Sequence, residues 1–290
     1  MQRKSRNVEE AKVNAGPKGK LTPRQRINHI VKWLKAYAKS AKISTFVVGV
    51  SGGIDSSVVS ALCAQTGLNT IVVQMPIRQN KKLDNRSSMQ AGWLLERHKE
   101  NVTHMSMDLT PVFNAFEKKV DPYCGEIDAS QVGLAFANSR ARLRMMTLYQ
   151  IAQSHKGIVV GTGNKVEDFG VGFFTKYGDG GVDISPIGDC KKTEVWDMGR
   201  ELGLEQEIID AEPTDGLWDD GRTDEGQLGM TYPDLERMMA LDFLKRCKAA
   251  DSDMPGSFKL SADDRKKLKQ YQDTRARNMH KMLPIPVCKF

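Results

Sequence analysis

The chain of 290 residues is 40% hydrophobic and carries a net charge of +7 at pH 7, which suits a globular domain with a sizeable core. No run of about 18 apolar residues occurs, so we expect no membrane-spanning helix. We also expect no signal peptide, because the N-terminal residues lack an apolar segment. The five cysteines form no Cys-x-x-Cys pair, which argues against a zinc site or a disulfide framework and favours a reducing, cytoplasmic location.

The positive charge is concentrated at the N-terminus. Residues 1–26 contain eight Lys and Arg residues against two Glu, so they account for +6 of the net charge. This distribution predicts a basic, disordered tail over residues 1–21 and one nearly neutral domain over residues 22–290. We therefore expect no nucleic-acid partner, with an RNA-binding arm or a targeting peptide as the alternative interpretation of the tail.

Predicted helices and strands alternate along the chain. Thr22, Pro23 and Gln25 have the pattern of an N-cap, a first helical turn and a capping box. A β-branched run at 45–50 predicts a buried strand that leads through a Gly-rich turn into a helix. The further strands are predicted at 70–75, 102–107 and 158–160, and the further helices over about 56–65, at 87–100, from 111, at 131–155 and within 234–282. This alternation predicts a doubly wound α/β fold, with a parallel sheet flanked by helices and a helical C-terminal part.

Two stretches between these elements are polar and irregular. Residues 78–86 are polar and basic, and residues 212–231 are too long for an ordinary connection. Long loops of this kind are usually functional or disordered. We therefore predict two loops that act as lids over a ligand site.

The segment 49–57 reads Gly-Val-Ser-Gly-Gly-Ile-Asp-Ser-Ser and joins a predicted strand to a predicted helix. Backbone N–H groups and the positive end of a helix attract anions in this setting, and glycine allows a phosphate to approach the backbone closely. Asp55 would repel a phosphate unless a divalent cation lay between them. The segment therefore predicts a site for phosphate and a cation, although it matches neither the Walker nor the dinucleotide-binding pattern.

The same residues leave an alternative open. Gly49–Gly53 also matches the Gly-x-Ser-x-Gly elbow of the α/β-hydrolases, with Ser51 as nucleophile. The elbow does not account for Asp55, Ser56 and Ser57, and no His-Gly-Gly-Gly motif precedes it. A phosphate site is therefore the preferred interpretation and a serine hydrolase the alternative.

Charged residues further along the chain are candidates for the same site. Arg140, Arg142 and Arg144 lie on the long predicted helix, with Arg140 and Arg144 on one face. They either form a solvated face or bind a phosphorylated substrate, since guanidinium groups match phosphate oxygens. Glu167 follows a strand at its carboxyl end, where open α/β sheets bind ligands. It is a candidate second carboxylate for the cation, beside Asp55.

Two glycine-rich segments indicate which family the chain resembles. Residues 161–167 read Gly-Thr-Gly-Asn-Lys-Val-Glu, and residues 172–183 read Gly-Phe-Phe-Thr-Lys-Tyr-Gly-Asp-Gly-Gly-Val-Asp. The earlier Ser-Gly-Gly-x-Asp-Ser loop resembles the pyrophosphate loop of the N-type ATP pyrophosphatases, and these two segments resemble the signature of the NAD synthetases within that superfamily. The resemblance extends from about residue 24 to residue 285. It implies an adenine nucleotide alpha hydrolase-like fold and cleavage of ATP between its α- and β-phosphates.

The resemblance also implies roles for individual residues, none of them a covalent nucleophile. Asp55 and Glu167 match the Mg²⁺ ligands, Glu167 through the spacing of an Asn-Lys-x-Glu variant. The positions that match the ATP site are Gly49, Val50, Ser51, Gly52, Gly53, Ile54, Asp55, Ser56, Thr162, Lys192 and Thr214. The positions that match the deamido-NAD site are Arg142, Lys176, Asp183, His280 and Lys281.

The activity that the resemblance implies is the amidation of deamido-NAD to NAD through an adenylated carboxylate, with release of pyrophosphate and AMP. ATP is the co-substrate and Mg²⁺ the cofactor. Ammonia is the expected nitrogen donor because the chain leaves no room for a glutaminase domain, and a separate glutaminase chain is the alternative source. Family members are homodimers, so a homodimer is expected. A tRNA-modifying adenylating enzyme and a non-enzymatic nucleotide sensor are the remaining alternatives.

Overall fold

The computed structural model describes residues 21–79, 81–125, 128–214, 216–217, 222–250 and 260–290. The predicted tail over residues 1–21 lies outside the described residues except for Leu21. The strands are β1 Thr45–Gly49, β2 Asn69–Gln74, β3 Val102–Ser106 and β4 Gly157–Val159. The helices are α1 Pro23–Ala41, α2 Ile54–Ala64, α3 Lys81–His98, α4 Thr110–Val120, α5 Ala129–Ser154, α6 Lys192–Leu202, α7 Gln206–Ile209, α8 Asp224–Leu228, α9 Tyr232–Ala250 and α10 Ala262–Met282, with a 3-10 turn at Asp121–Tyr123 and a π-helix at Lys165–Val171.

The four strands form one parallel sheet in the order β3-β2-β1-β4. Val47 of β1 pairs with Ile71 of β2 on one side and with Val159 of β4 on the other. The chain moves outward from β1 to β3 and then returns to place β4 on the opposite side of β1. The carboxyl ends of β1 and β4 therefore lie at a topological switch point, where open α/β sheets bind ligands.

Helices cover both faces of the sheet. Phe46 and Val48 are fully buried on one face, in a cluster with apolar residues of α1, α2, α3 and α6. Val47, between them in sequence, packs on the other face with Phe113 of α4 and Ala152 of α5. Burial on both faces explains the continuous apolar run of β1, and the predicted doubly wound fold is confirmed.

Helix α1 begins as its capping pattern predicts. The N–H of Gln25 donates to Oγ1 of Thr22 at 3.2 Å, and the N–H of Thr22 donates to Oε1 of Gln25 at 3.0 Å. This reciprocal cap satisfies two amide donors that a helix start would otherwise leave free. Ile27, Ile30 and Leu34 recur at helical spacing and are buried, and each such side chain contributes about 1.5–3 kcal/mol to stability.

A third apolar cluster joins the C-terminal helices to the segment that follows β4. Tyr232 and Leu235 of α9 pack with Leu268 and Tyr271 of α10, and Val166 of the π-helix belongs to the same cluster. The predicted helical C-terminal part is thus confirmed for the described residues. Because Val166 follows β4, this cluster fixes the segment after β4 against α9 and α10.

The predicted loop over residues 78–86 is wrong from residue 81 onward, because helix α3 begins at Lys81. Its first turns pack on the turn after β1. A Cβ atom on Gly52 would lie only 2.6 Å from the carbonyl oxygen of Leu83, and Ser87 is buried. These tertiary contacts outweigh the polar composition that predicted a loop, since intrinsic propensity is a weak determinant beside packing.

The predicted irregular stretch 212–231 is partly helical. It contains α8, whose N-cap Thr223 accepts the N–H of Gly226 at 3.1 Å, while residues 215 and 218–221 lie outside the described residues. Among the helices of the described chain, none is long and apolar enough to cross a membrane.

Candidate active site

The turn between β1 and α2 is held by its own hydroxyl groups. Gly52 has a φ of +81°, a conformation that favours glycine. The N–H of Ser51 donates to Oγ of Ser56 at 3.2 Å, and the hydroxyls of Ser56 and Ser57 donate to the carbonyl oxygen of Gly53 at 3.1 and 2.9 Å. The turn is therefore fixed at the N-terminus of an 11-residue helix, an arrangement that binds phosphate.

This turn forms one wall of a cavity of about 260 Å³ at the switch point of the sheet. The other walls come from the end of β2, the first turns of α3, helix α5, the segment after β4, the start of α6 and residues 211–214. The predicted ATP-site residues that line the cavity are Gly49, Val50, Ser51, Gly53, Ile54, Asp55, Ser56, Thr162, Lys192 and Thr214. Gly52 is buried against α3. The structure thus brings the predicted ATP-site residues together.

The serine-hydrolase alternative requires a histidine near Ser51. No histidine lines the described part of this cavity. Oγ of Ser51 lies 3.0 Å from Oγ of Ser56 and accepts the N–H of Gly53 at 3.3 Å. The described residues of the cavity therefore offer Ser51 no imidazole as general base, and its hydroxyl serves to shape the turn.

Beside the turn, two carboxylates share one ammonium group. Nζ of Lys192 lies 2.5 Å from Oδ2 of Asp55 and 3.0 Å from Oε1 of Glu167, and only 3% of the lysine side chain is exposed. Asp55 lies in the first turn of α2, Glu167 in the π-helix and Lys192 at the start of α6. Three separate elements therefore place this Asp55–Lys192–Glu167 trio next to the turn.

Two neutral side chains orient the carboxylates. Asn164 is fully buried; its Nδ2 donates to Oδ1 of Asp55 at 3.1 Å, and its Oδ1 accepts the N–H of Glu167 at 3.2 Å. The hydroxyl of Tyr232 donates to Oε1 of Glu167 at 2.5 Å and lies 3.3 Å from Oδ2 of Asp224. Hydrogen bonds of this kind favour the ionised carboxylate and fix its direction.

Burial and charge act in opposite directions on the trio. Burial raises the pKa of Asp55 above its usual value, and Lys192 offsets this only in part. Burial acts in the same way on Glu167, but Lys192 and the hydroxyl of Tyr232 outweigh it and hold the pKa of Glu167 below its usual value. Burial alone would lower the pKa of Lys192, but the two carboxylates outweigh it and raise that pKa. Lys192 is therefore charged at neutral pH.

The donor set suits Mg²⁺ bound together with a nucleotide. Mg²⁺ is usually held by one or two carboxylates plus substrate phosphates, and not by an all-protein cage. The described residues contain no group of three or more His, Cys, Asp or Glu side chains placed to hold a metal ion. Asp55 and Glu167 both contact Lys192 beside the turn, so they fit the predicted Mg²⁺ ligands if phosphate oxygens complete the coordination.

Asp168 and Asp179 are among the further acidic residues that line the cavity. Gly163 has no side chain, and a Cβ atom there would lie 2.0 Å from Oδ2 of Asp168, so the carboxylate packs directly on this glycine. Loss of hydration raises the pKa of Asp168 well above its usual value and raises the pKa of Asp179 to about 6. Oδ1 of Asp179 accepts the N–H of Thr175 at 2.9 Å. Asp168 and Asp179 form the acidic wall of the cavity.

The predicted substrate-binding residues do not line the cavity in the described chain. Nε of Arg142 donates to the carbonyl oxygen of Lys176 at 3.3 Å, and Nζ of Lys176 donates to that of His280 at 2.8 Å. Nζ of Lys281 donates to the carbonyl oxygen of Phe174 at 2.8 Å. These contacts connect α5, the glycine-rich segment and the end of α10.

Asp183 is held separately, by β4 and α5. Its carboxylate accepts the N–H of Val159 at 2.8 Å and the hydroxyl of Tyr149 at 3.1 Å. Burial, together with the charge of Asp183, raises the pKa of Tyr149 to about 12. These bonds tie the glycine-rich segment to the sheet, and a role of Asp183 in substrate binding stays a prediction.

Sequence reasoning missed several residues of the site. Asn164 and Tyr232 contact the carboxylates, and Arg86 lines the cavity. Arg144, which the sequence did indicate as a candidate, lines the cavity as well. Asn164 could have been found, because Asn directly before a helix is a strong N-cap signal. Tyr232 lies 65 residues from Glu167, and no local pattern connects the two.

Known proteins are similar to this chain in sequence and in fold. The family model for NAD synthase matches residues 26–284. An NH(3)-dependent NAD(+) synthetase from Carboxydothermus hydrogenoformans is 37% identical over 234 residues, which cover 77% of this chain and 90% of that relative. Among solved structures, an NMN synthetase from Francisella tularensis has a TM-score of 0.76 and 31% identity over 93% of this chain and 100% of its own. An NH3-dependent NAD synthetase from Campylobacter jejuni has the same fold, with a TM-score of 0.70 and 20% identity over 93% of this chain and 100% of its own. The chain therefore belongs to the NAD synthase family.

Proposed function

We propose that this chain converts deamido-NAD to NAD, consuming ATP and ammonia and releasing AMP and pyrophosphate. The observation that carries the proposal is the position of the Asp55–Lys192–Glu167 trio beside the turn at Gly53. Cleavage between the α- and β-phosphates produces a highly charged leaving group, which must be held and neutralised. A phosphate-binding turn next to a two-carboxylate cation site meets this need, and membership of the NAD synthase family supports the choice of substrate.

The cavity is assigned to ATP. The backbone N–H groups of the turn and of the start of α2 would bind phosphate oxygens, while Thr162 and Thr214 line the same cavity and are assigned to the nucleotide. When Mg²⁺ is bound, it neutralises phosphate charge and polarises the phosphorus centre. Asp55 and Glu167 would hold it, which leaves Lys192 to contact phosphate oxygens.

In the first step, a carboxylate oxygen of the nicotinate group attacks the α-phosphorus of ATP. A new O–P bond forms as the bond from the α-phosphorus to the bridging oxygen breaks, and pyrophosphate leaves with that electron pair. The N–H groups of the turn and the ammonium of Lys192 stabilise the charge that develops on pyrophosphate. No side chain becomes covalently attached, so positioning and electrostatics supply the rate.

In the second step, ammonia attacks the carbonyl carbon of the acyl adenylate. The C–O bond to the phosphate breaks, AMP leaves, and the nitrogen gives up one proton. Ammonia is assigned to the part of the cavity beside the acidic wall, Asp168 and Asp179. With a pKa raised to about 6, Asp179 is largely ionised at neutral pH and is assigned as the acceptor of that proton.

Product analysis tests this proposal. Incubation with ATP, Mg²⁺, deamido-NAD and ammonium should give NAD, AMP and pyrophosphate in equal amounts, whereas ADP in place of AMP would overturn the mechanism. Asp55→Asn, which keeps the size of the side chain and removes its charge, should abolish product formation. Glutamine in place of ammonium should give no NAD unless a separate glutaminase is added. A fluorophosphonate probe should leave Ser51 unlabelled.

A second candidate is the formation of NMN, which contains the same nicotinamide half as NAD. It is favoured by the similarity to the NMN synthetase from Francisella tularensis. Both candidates share the reacting carboxylate and the ATP site, and they differ only in the adenylyl half of the substrate. The ratio of kcat/KM for deamido-NAD to that for nicotinate mononucleotide decides between them, and we expect a ratio above one.

A cytoplasmic homodimer is proposed as the functional form. Large apolar side chains on neighbouring helices α4 and α5 are half exposed: Val112 (52%), Phe116 (44%), Leu134 (50%) and Met146 (59%). Burial of such side chains against a second copy of the chain would favour the homodimer that the family resemblance implies. All five cysteines are free, which suits a reducing compartment. Light scattering should give twice the mass of the chain, and Leu134→Glu should shift the protein to monomer.

A further inference from the structure

The charge of the cavity is unfavourable for the polyanion assigned to it. The described lining contains seven acidic side chains, Asp55, Asp84, Glu167, Asp168, Asp179, Glu212 and Asp224, but only three basic ones, Arg86, Arg144 and Lys192. A triphosphate entering this field is repelled. The position of each basic side chain relative to the phosphate-binding turn therefore decides which of them can offset this repulsion.

The three basic side chains are engaged differently. Lys192 is paired with two carboxylates. Arg144 lies on α5 and donates to the carbonyl oxygen of Met75 and to Oε1 of Gln79, both at 3.0 Å, so it supports the segment after β2. Arg86 is the basic residue that contacts the turn itself, since its Nε donates to the carbonyl oxygen of Gly52 at 3.2 Å.

The packing of α3 holds Arg86 in this place. Gly52 lies directly against the helix, because a Cβ atom there would be 2.6 Å from the carbonyl oxygen of Leu83 and 2.9 Å from the backbone nitrogen of Ser87. Arg86 is half-buried between these residues, and among the described side chains no carboxylate pairs with it. One of its five N–H donors is used by Gly52, and no acceptor among the described residues takes the others, which can bind a ligand in the cavity that Arg86 lines.

The hydrogen bond from Arg86 to the carbonyl oxygen of Gly52 also orients the turn. In a trans peptide the C=O and N–H groups point in opposite directions. Fixing the carbonyl of Gly52 from the side of α3 therefore directs the N–H of Gly53 away from α3. That N–H makes only a long contact of 3.3 Å with Oγ of Ser51, which an anion can replace.

We propose that Arg86 is a phosphate-binding residue of this enzyme, which fixes the Gly52–Gly53 peptide and neutralises the β- and γ-phosphates of ATP and the pyrophosphate that leaves. The inference rests on the proposed function, because it needs ATP phosphates at the turn. A guanidinium group suits this role, since its planar donors match phosphate oxygens and its charge persists at all working pH values.

Binding measurements with pyrophosphate, ATP and AMP test the inference, each with Mg²⁺ and followed by calorimetry. Arg86→Ala should weaken the binding of pyrophosphate and ATP roughly 10- to 100-fold, the effect of losing a charge-assisted hydrogen bond. It should change AMP binding less than about two-fold, because AMP lacks the two phosphates concerned. Arg86→Lys should recover part of the loss. Lys99→Ala, which removes an exposed positive charge beyond the end of α3, is the matched control and should bind all three ligands normally.

Arg86→Gln separates charge from folding. Glutamine can still donate to the carbonyl oxygen of Gly52, so this variant should keep the melting temperature of the wild type and still lose affinity for pyrophosphate. If Arg86→Ala and Arg86→Gln bind pyrophosphate as the wild type does, the inference is wrong while the proposed function stands. If the wild type itself binds neither ATP nor pyrophosphate, the proposed function fails and the role of Arg86 fails with it.

Discussion

Lys192 and Asp55 form a buried ion pair, with 2.5 Å between Nζ and Oδ2, that joins the start of α6 to the first turn of α2. Glu167 contacts the same ammonium group at 3.0 Å. The ammonium thus lies between the two carboxylates assigned to Mg²⁺. If Mg²⁺ takes the position of the ammonium between them, Lys192 must leave the carboxylates, and the same movement would bring its charge to the phosphates.

Replacing Lys192 by Met should separate its two roles. Breaking a buried ion pair leaves uncompensated charge and typically costs about 3–5 kcal/mol of stability, and synthesis should fall by at least about 100-fold because a cation near the leaving group is lost. Without ATP, Mg²⁺ should raise the urea midpoint of this variant more than that of the wild type, since the ammonium no longer competes for the carboxylates. Lys165→Met, which removes a surface ion pair with Asp189, should change stability by less than about 1 kcal/mol. Equal Mg²⁺ effects on wild type and Lys192→Met would show that the ammonium does not occupy the cation position.

Tyr232→Phe should weaken the cation site without emptying it. The variant loses only the hydroxyl that donates to Glu167 at 2.5 Å, and a hydrogen bond to a charged group contributes about 1.5–3 kcal/mol. The Mg²⁺ concentration for half-maximal activity should rise several-fold, and Mg²⁺-dependent stabilisation by ATP should weaken in parallel. Tyr37→Phe removes a hydroxyl from α1, where the ring packs on Trp33, and should change neither. An unaltered Mg²⁺ dependence in Tyr232→Phe would mean that Glu167 needs no such support.

The parts of the fold that local sequence determines were predictable. The β-branched run of β1 and the cap at Thr22 specify their own structure, and the Ser-Gly-Gly-x-Asp-Ser motif placed Asp55 at the start of a helix. Asp55 and Glu167 both contact Lys192, while their role as cation ligands stays a prediction. Their placement at the same edge of the sheet could be foreseen, because both segments leave the carboxyl ends of strands in one sheet.

The parts that depend on distant packing were not predictable. Residues 81–86 look like a loop by composition, but they are helical because the first turns of α3 pack on Gly52. The role of Arg86 follows only from that docking. Tyr232 reaches Glu167 because the third apolar cluster holds α9 against the π-helix, and no pattern near either residue indicates this contact.

Replacement of glycine by alanine should stabilise the protein at position 92 but impair ATP binding at position 52. Gly92 lies within α3, and a Cβ atom added there would meet nothing within 4 Å, so Gly92→Ala should stabilise the protein by up to about 1 kcal/mol through helix propensity. Gly52→Ala meets both a φ of +81° and the carbonyl oxygen of Leu83 at 2.6 Å, so the turn must shift. We expect that shift to weaken ATP binding by at least about 100-fold, in line with the loss of aligned donors. Calorimetric titration with ATP checks this, and normal binding by Gly52→Ala would contradict the assignment of phosphate to the turn.

Acidification should destabilise the fold partly through His104 of β3. Its Nε2 is buried without a hydrogen-bond partner among the described residues, and burial lowers the pKa of this imidazole below its usual value. The unfolded chain therefore binds a proton that the folded chain resists, so stability falls as the pH drops through and below the ordinary histidine range. His104→Val should remove this component, leaving a variant whose stability relative to the wild type improves as the pH is lowered from neutral. Urea unfolding across that range measures the difference, with His155→Gln as the control, because His155 is exposed. A constant difference between His104→Val and wild type at every pH would show that this imidazole does not contribute to acid sensitivity.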